Sequence, residues 1–214
     1  MNGLTIDIEQ QGPFPWQLEQ WQRLVSQIKT NQLAHAFLFS GEEGIGKQLF
    51  VFELARLLLC LEPSQNRTCG NCQNCDLSGN YQHPDLVIIG PEETGKPIKI
   101  DQIRELANFA NKTSHSGGNK IVIINEAHKL NINSANALLK TLEEPRDDTF
   151  ILLVSNLPAS LPATIRSRCQ RVQLPMPTNN QSSVWLQSRI PESDVTAALS
   201  NSLGRPLLAL KAAE

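Results

Sequence analysis

Basic charge is what the chain conspicuously does not have in excess. Of 214 residues, 19 are Lys or Arg and 21 are Asp or Glu, a net charge of −2. A protein that held DNA by neutralising phosphates alone would be more basic, so any nucleic-acid role has to be shared with partners. No run approaches the roughly 18 apolar residues of a membrane-spanning helix. The first twenty residues are polar, carry Asp7, Glu9 and Glu19, and lack the pattern of a secretory signal. The expected compartment is therefore the cytoplasm, where clustered cysteines are metal ligands before they are disulfides. There is no internal repeat and no low-complexity tract. What remains is an ordinary globular composition, 40% hydrophobic and 19% charged.

Apolar spacing organises most of the chain. Leu18, Trp21, Leu24, Val25 and Ile28 fall at helical intervals. Ala36–Phe39 reads as a buried strand entering a glycine-rich loop, and Leu49 to Leu61 as the helix that leaves it. Further strands are expected at Leu86–Ile89, Ile121–Ile124, Phe150–Val154 and Arg171–Leu174. Helices are expected between them, around Ile100–Ala110, Ala135–Leu142 and Ala163–Arg168. Continuous apolar strands alternating with helices predict a parallel three-layer α/β domain. Pro175-Met176-Pro177 breaks the pattern, which sets domain boundaries at 1–175 and 176–214. The second segment, with Trp185, Leu186, Ile190, Val195 and Leu199, reads as a small helical unit packed on the first.

The loop reads Gly41-Glu42-Glu43-Gly44-Ile45-Gly46-Lys47-Gln48. Strand, glycine loop and helix form the context in which backbone N–H groups at a helix N-terminus cradle phosphates, with a lysine to neutralise them. A working loop of this kind places Ser or Thr after the lysine to hold Mg²⁺; here Gln48 stands there. The strand Ile121–Ile124 is expected to bring its C-terminal end beside the loop, where an ATPase has an Asp to orient hydrated Mg²⁺ and a Glu to activate water. Here those positions hold Asn125 and Glu126. Two losses on one ion argue against hydrolysis and leave a weak or vestigial nucleotide site, the alternative being a glycine turn without ligand. Glu126, lacking a positioned metal, reads as a solvated or hydrogen-bonded carboxylate.

Cys60, Cys69, Cys72 and Cys75 are spaced C-x8-C-x2-C-x2-C, within a module placed at 60–80. Two C-x-x-C steps form a tight knuckle, and Cys60 at a helix end can supply a fourth thiolate. Four thiolates around Zn²⁺ make a closed, structural site; free thiols or an iron–sulfur cluster are the alternatives. Cys169 reads as a small buried hydrophobe. His35, His83, His115 and His128 show no ligand spacing. Near-neutral charge and the lack of basic–aromatic interleaving around Cys69–Cys75 argue against an independent nucleic-acid-binding zinc module.

Asn136-Ala137-Leu138-Leu139-Lys140-Thr141-Leu142-Glu143-Glu144-Pro145 and Ser167-Arg168-Cys169, with the glycine loop and the four-cysteine insertion in that order, resemble the bacterial clamp-loader ATPase family. The resemblance runs from about Pro15 to Leu210. It implies an AAA+ P-loop fold with a RecA-like sheet, a helical lid and a C-terminal collar. The collar is expected beyond residue 214, leaving the first two domains here. Within the family, Gln48 and Asn125 resemble the non-hydrolysing stator rather than its hydrolysing gamma/tau relatives, which remain the alternative. No intrinsic ATPase is then expected, and ATP or ADP binding is weak or absent. The implied partners are the other clamp-loader subunits (gamma/tau and delta), and through them the sliding clamp and primer-template DNA. Arg168 resembles the family's finger that reaches ATP on a neighbouring subunit, the alternative being a surface or salt-bridged arginine. Asn156 resembles the sensor of the terminal phosphate, the alternative being an asparagine in a turn. Arg205 resembles the lid's sensor arginine.

Overall fold

A computed structural model describes residues 12–213; Asp7 and Glu9, used above to exclude a secretory signal, lie outside the described residues. Five strands form one sheet: β1 Ala36–Ser40, β2 Leu86–Ile89, β3 Lys120–Ile124, β4 Thr149–Ser155 and β5 Gln170–Gln173. All neighbours are parallel, in the order β2-β3-β4-β1-β5. Parallel pairing requires a crossover between successive strands, and the amphipathic segments read from the sequence supply the helices for it. Those are α2 Lys47–Leu59, α4 Ile100–Ala110, α5 Ile132–Glu143 and α6 Ala163–Arg166; α1 Leu18–Lys29 precedes β1, and a further helix, α3 Gln73–Gly79, follows α2 in the first crossover.

Strand residues alternate between faces with period two, and each face has its own helices. Phe37, Phe39, Ile121, Ile123, Leu152 and Val154 share one apolar cluster with Trp21 and Leu24 of α1 and Phe50, Leu54 and Leu58 of α2. Leu38, Val122, Ile124, Ile151 and Leu153 share the other with Ile103 and Leu106 of α4 and Leu138 and Leu142 of α5. Burying a side chain of this size stabilises by roughly 1.5–3 kcal/mol, so the strands are apolar on both faces because both are covered. Ten of the thirteen α2 residues are buried, which is why that helix reads as apolar all round.

Three helices follow β5: α7 Asn179–Gln187, α8 Glu192–Asn201 and α9 Pro206–Ala213. Trp185, Leu186, Val195, Leu199, Ala209 and Leu210 join the cluster of α1 and α2, so these helices extend the main core. Thr178 and Gln181 cap α7 reciprocally, each side chain accepting from the other's backbone N–H. No helix among the described residues is long and apolar enough to cross a membrane.

The strand order corrects one expectation. β4 lies between β1 and β3, so Asn125 and Glu126 emerge one strand away from the glycine loop, and Asn156, just past β4, emerges beside it. Periodicity identifies buried strands but carries no information on their lateral order.

Candidate functional site

The glycine loop joins β1 to α2 as expected, and it is covered. Gly46 is the N-cap of α2, with φ +86°, and a Cβ there would lie 2.2 Å from a ring carbon of Phe14. Gly44 has φ +77°, and its Cβ would lie 2.5 Å from Cγ of Leu208 and 3.3 Å from Cβ of Arg205. The loop's carbonyls are already hydrogen-bonded. Trp16 Nε1 and Gln17 Nε2 donate to Ile45 O at 2.9 and 2.8 Å, and Leu207 N donates to Gly44 O at 3.1 Å. Phe14 stacks on Trp16, and Trp185 meets both edge-on, with ring centroids 4.9 to 5.9 Å apart. Residues 14–17 and the helices α7 and α9 thus meet over the loop. Gly41 completes the turn against Leu174.

Lys47 is 5% exposed, and its Nζ donates to Glu42 O. Burial brings its pKa down from 10.5 to about 8, with Glu43 and Glu42 pulling the other way. Gln48, half-buried in the first turn of α2, is an amide where an ion-holding hydroxyl would be needed.

At the end of β3, Asn125 N donates to Ile89 O at 2.8 Å. Its side chain is 1% exposed, and neither amide atom has a hydrogen-bond partner among the described residues. A carboxylate in that place would be a buried charge without a counter-ion, at a cost of several kcal/mol. Neutral Asn is therefore compatible with the burial in a way that Asp without a metal would not be. Glu126 is half-buried in a left-handed conformation, φ +47°. His128, one turn on, is held below its ordinary pKa by burial, against Glu126; Lys129 and Lys47 press in the same direction as burial. Its Nδ1 lies 3.5 Å from Ser155 Oγ at the end of β4. Asn156 follows, half-exposed. Arg205 lies beside Gly44, and its Nε donates to Ser202 O at 2.9 Å. The loop, Asn156 and Arg205 are thus gathered on one side of the sheet.

The four cysteines converge as their spacing predicts. Their sulfur atoms all lie within 4.8 Å of one another, with Cys75 at 3.5 Å from Cys60 and 3.8 Å from Cys69. Four thiolates around an ion at metal–sulfur distances of about 2.3 Å would sit about 3.8 Å apart, so these four could hold a metal ion. Local geometry builds the centre. Cys60 caps the C-terminus of α2, Cys72 caps the N-terminus of α3, and Gly70 turns between them at φ +75°. Backbone N–H of Cys69 and Cys72 donate to Cys60 and Cys69 sulfurs, both at 3.3 Å. Burial works against ionisation of Cys72, yet the backbone of Leu61 and Cys75 and the adjoining thiols hold it down at about 6. Burial drives Cys75 up to about 12, helped by its neighbours. Such opposed shifts mark thiols that cannot all ionise side by side without a cation. The helix α3 inside this segment was not foreseen, because its apolar content is too slight for periodicity to register.

Arg168 follows α6 and is exposed, paired with Glu143 of α5 and donating to Thr164 O at 2.9 Å. The salt-bridged alternative thus describes its state in the single chain. Cys169 beside it is buried, which pushes its thiol up to about 11. Sequence reasoning missed Phe14, Gln17 and Glu143 as parts of these sites. It used Trp185 only as a marker of helical spacing, because its meeting with Phe14 and Trp16 over the loop is a long-range contact.

A parallel sheet in this order, with a glycine loop after β1, defines a P-loop domain of the AAA+ type. The chain belongs to the family described as DNA polymerase III, delta subunit, whose model matches residues 16–178. Subunit delta′ of DNA polymerase III from Pseudomonas aeruginosa is 41% identical over 199 residues, 92% of this chain and 60% of that protein. The delta′ subunit of Escherichia coli strain K12 is 35% identical over 199 residues, with the same coverage of 92% and 60%. The tau/gamma subunit of Haemophilus influenzae is 36% identical over 176 residues, 80% of this chain and 25% of that protein. A crystal structure of a DNA polymerase III gamma subunit-related protein from Thermotoga maritima superposes with a TM-score of 0.61 at 23% identity. It covers 91% of this chain and 57% of that one, a likeness of fold. The chain spans about 60% of the length of the delta′ relatives it matches.

Proposed function

We propose that the chain is the AAA+ part of a delta′-type clamp-loader subunit, a cytoplasmic stator that does not hydrolyse ATP and lends Arg168 to a neighbour. Residues 1–175 form its AAA+ domain and 176–214 its lid. Its partners are gamma/tau and delta subunits, and through them the sliding clamp and primer-template DNA. Zn²⁺ held by Cys60, Cys69, Cys72 and Cys75 orders the 60–80 module and takes no part in chemistry.

The observation that carries this reading is Gln48 together with Asn125, whose buried side chain has no hydrogen-bond partner among the described residues. Neither position offers an oxygen anion or hydroxyl to Mg²⁺, so an ATP held by Gly41, Gly44, Gly46 and Lys47, with Asn156 and Arg205 nearby, would lack the ion that positions its terminal phosphate. Glu126 has then no oriented water to activate. Arg168 is exposed just after α6, and a guanidinium is always charged and binds phosphate oxygens in pairs. Delivered to a neighbour's ATP, it would stabilise the charge of the transferring phosphoryl group. Its pair with Glu143 is exposed enough to exchange for that phosphate at small cost.

The test is a reconstituted five-subunit ring carrying Arg168→Ala. DNA-stimulated ATP turnover should fall at least about tenfold while the variant stays folded; unchanged turnover would remove the finger role. The likeness to tau/gamma supports a second reading, an active ATPase that tolerates Gln48. Brisk turnover by the isolated chain, abolished by Lys47→Ala, would establish it instead.

A further inference from the structure

A polar cavity lies at the opposite end of the sheet from the glycine loop. Its volume is about 260 Å³, and it is lined by Lys112, Ser114, Gly117, Gly118, Lys120 and Arg146 among others. Lys120 opens β3, and Arg146 precedes β4. The cavity therefore sits at the strands' N-terminal ends, whereas ligands of open α/β sheets bind at their C-terminal ends.

Three cations meet there, and among the described residues no carboxylate pairs with any of them. Lys120 is the informative one. It is 5% exposed, and its ammonium has three donors. Among the described residues it reaches only Thr113 O, at a long 3.4 Å, and the face of Phe109, at 4.1 Å from the ring centroid. Burial lowers its pKa; Asp85 opposes this, and Lys112 and Arg146 add to it. Asp85 is committed elsewhere. Its oxygens accept from His115 N, Ser116 N and Ser114 Oγ at 2.7, 2.8 and 3.1 Å. That carboxylate fixes the loop after α4, and Gly118 N closes it on Ser114 Oγ at 3.1 Å. At Gly117 and Gly118 a Cβ would meet nothing within 4 Å, so the backbone there is open to space.

A buried, under-bonded ammonium, two exposed cations (Arg146 also donating to Asn111 O at 2.7 Å) and an accessible glycine backbone around one cavity form an anion site. We propose that this cavity binds a compact phosphate-class dianion, either inorganic phosphate or the terminal group of a phosphomonoester. Asp147 and Asp148 line the same cavity and oppose any anion, so the three cations keep a surplus of only one positive charge, which suits one compact anion better than an extended polyanion.

The test is amide NMR of the protein titrated with sodium phosphate, against sodium chloride at matched ionic strength. Saturable shifts of Gly117, Gly118 and Lys120 are expected, with the same residues responding to glycerol phosphate if a monoester is accepted. Because Lys120 is buried in a strand, the exposed pair carries the mutational arm. Lys112→Gln with Arg146→Gln should weaken phosphate binding at least about tenfold, while Lys47→Ala leaves it unchanged. The proposal is overturned if chloride reproduces the shifts, if the double variant binds equally, or if Lys47→Ala abolishes the effect. It is also overturned if a single-stranded oligonucleotide lacking terminal phosphates binds these residues more tightly than phosphate does.

Discussion

Replacing Cys75 by Ser removes the most buried ligand of the cysteine cluster. Cys75 is 2% exposed and lies within 3.8 Å of two other sulfurs. A structural zinc contributes roughly 10–16 kcal/mol to folding when a small peptide depends on it entirely. Much less is at stake here, because the sheet and its two apolar clusters do not pass through the module. What couples the module to the core is a short set of contacts. Asn74 Nδ2 donates to Leu59 O at 2.8 Å, Trp21 Nε1 donates to Asn66 O at 3.1 Å, and Phe52 stacks on Tyr81 at 4.7 Å. At about 0.5–1.5 kcal/mol for each contact, together with loss of local order, the global loss should be about 2–4 kcal/mol. For a chain of this size that is a fall in Tm of about 5–15 °C. Elemental analysis should find one zinc per wild-type chain and almost none in the variant, and calorimetry should show the shift. A variant that keeps its metal, or loses it with no change in Tm, would refute the reasoning.

Three further outcomes follow from individual side chains. Because the folded chain releases the Lys47 proton near pH 8 and the unfolded chain near 10.5, the cost of burying that charge is full below pH 8 and relieved as pH rises to 10.5. Wild-type stability relative to Lys47→Met should therefore increase across this window by up to about 3 kcal/mol; urea unfolding of both at pH 7.5 and 10 would contradict this if the difference stayed flat. Gly46→Ala meets both a positive φ and the Phe14 ring, and should cost at least about 2 kcal/mol in chemical denaturation; a neutral effect would mean the aromatic cover is loose. Glu143→Gln breaks an exposed ion pair and should change stability by less than about 1 kcal/mol; a larger loss would make Glu143 a structural anchor for α6.

The parts of the fold carried by local pattern were legible before the structure. Apolar runs such as Ile121–Ile124 announced strands buried on both faces, and the glycine loop announced the turn into α2. Boundaries moved by about two residues, as at α2, because helix ends depend on caps rather than on apolar spacing. The thiol cluster was legible because ligand spacing is itself local. Features that require the chain to return on itself were not. The insertion of β4 between β1 and β3, the meeting of Phe14, Trp16 and Trp185, and the hold of Glu143 on Arg168 each join residues distant in sequence. Asn125 could be read as a neutral replacement for an acid, but the burial of its side chain, without a hydrogen-bond partner among the described residues, was visible only in three dimensions.

The most direct measurement of the central claim is equilibrium binding of ATP to the isolated chain with and without magnesium, with phosphate release followed in parallel. A loop that ends in Gln48, served by a neutral Asn125, should bind ATP weakly or not at all, gain little from the metal and release no phosphate. Tight binding that depends on magnesium, together with steady turnover lost in Lys47→Ala, would contradict it.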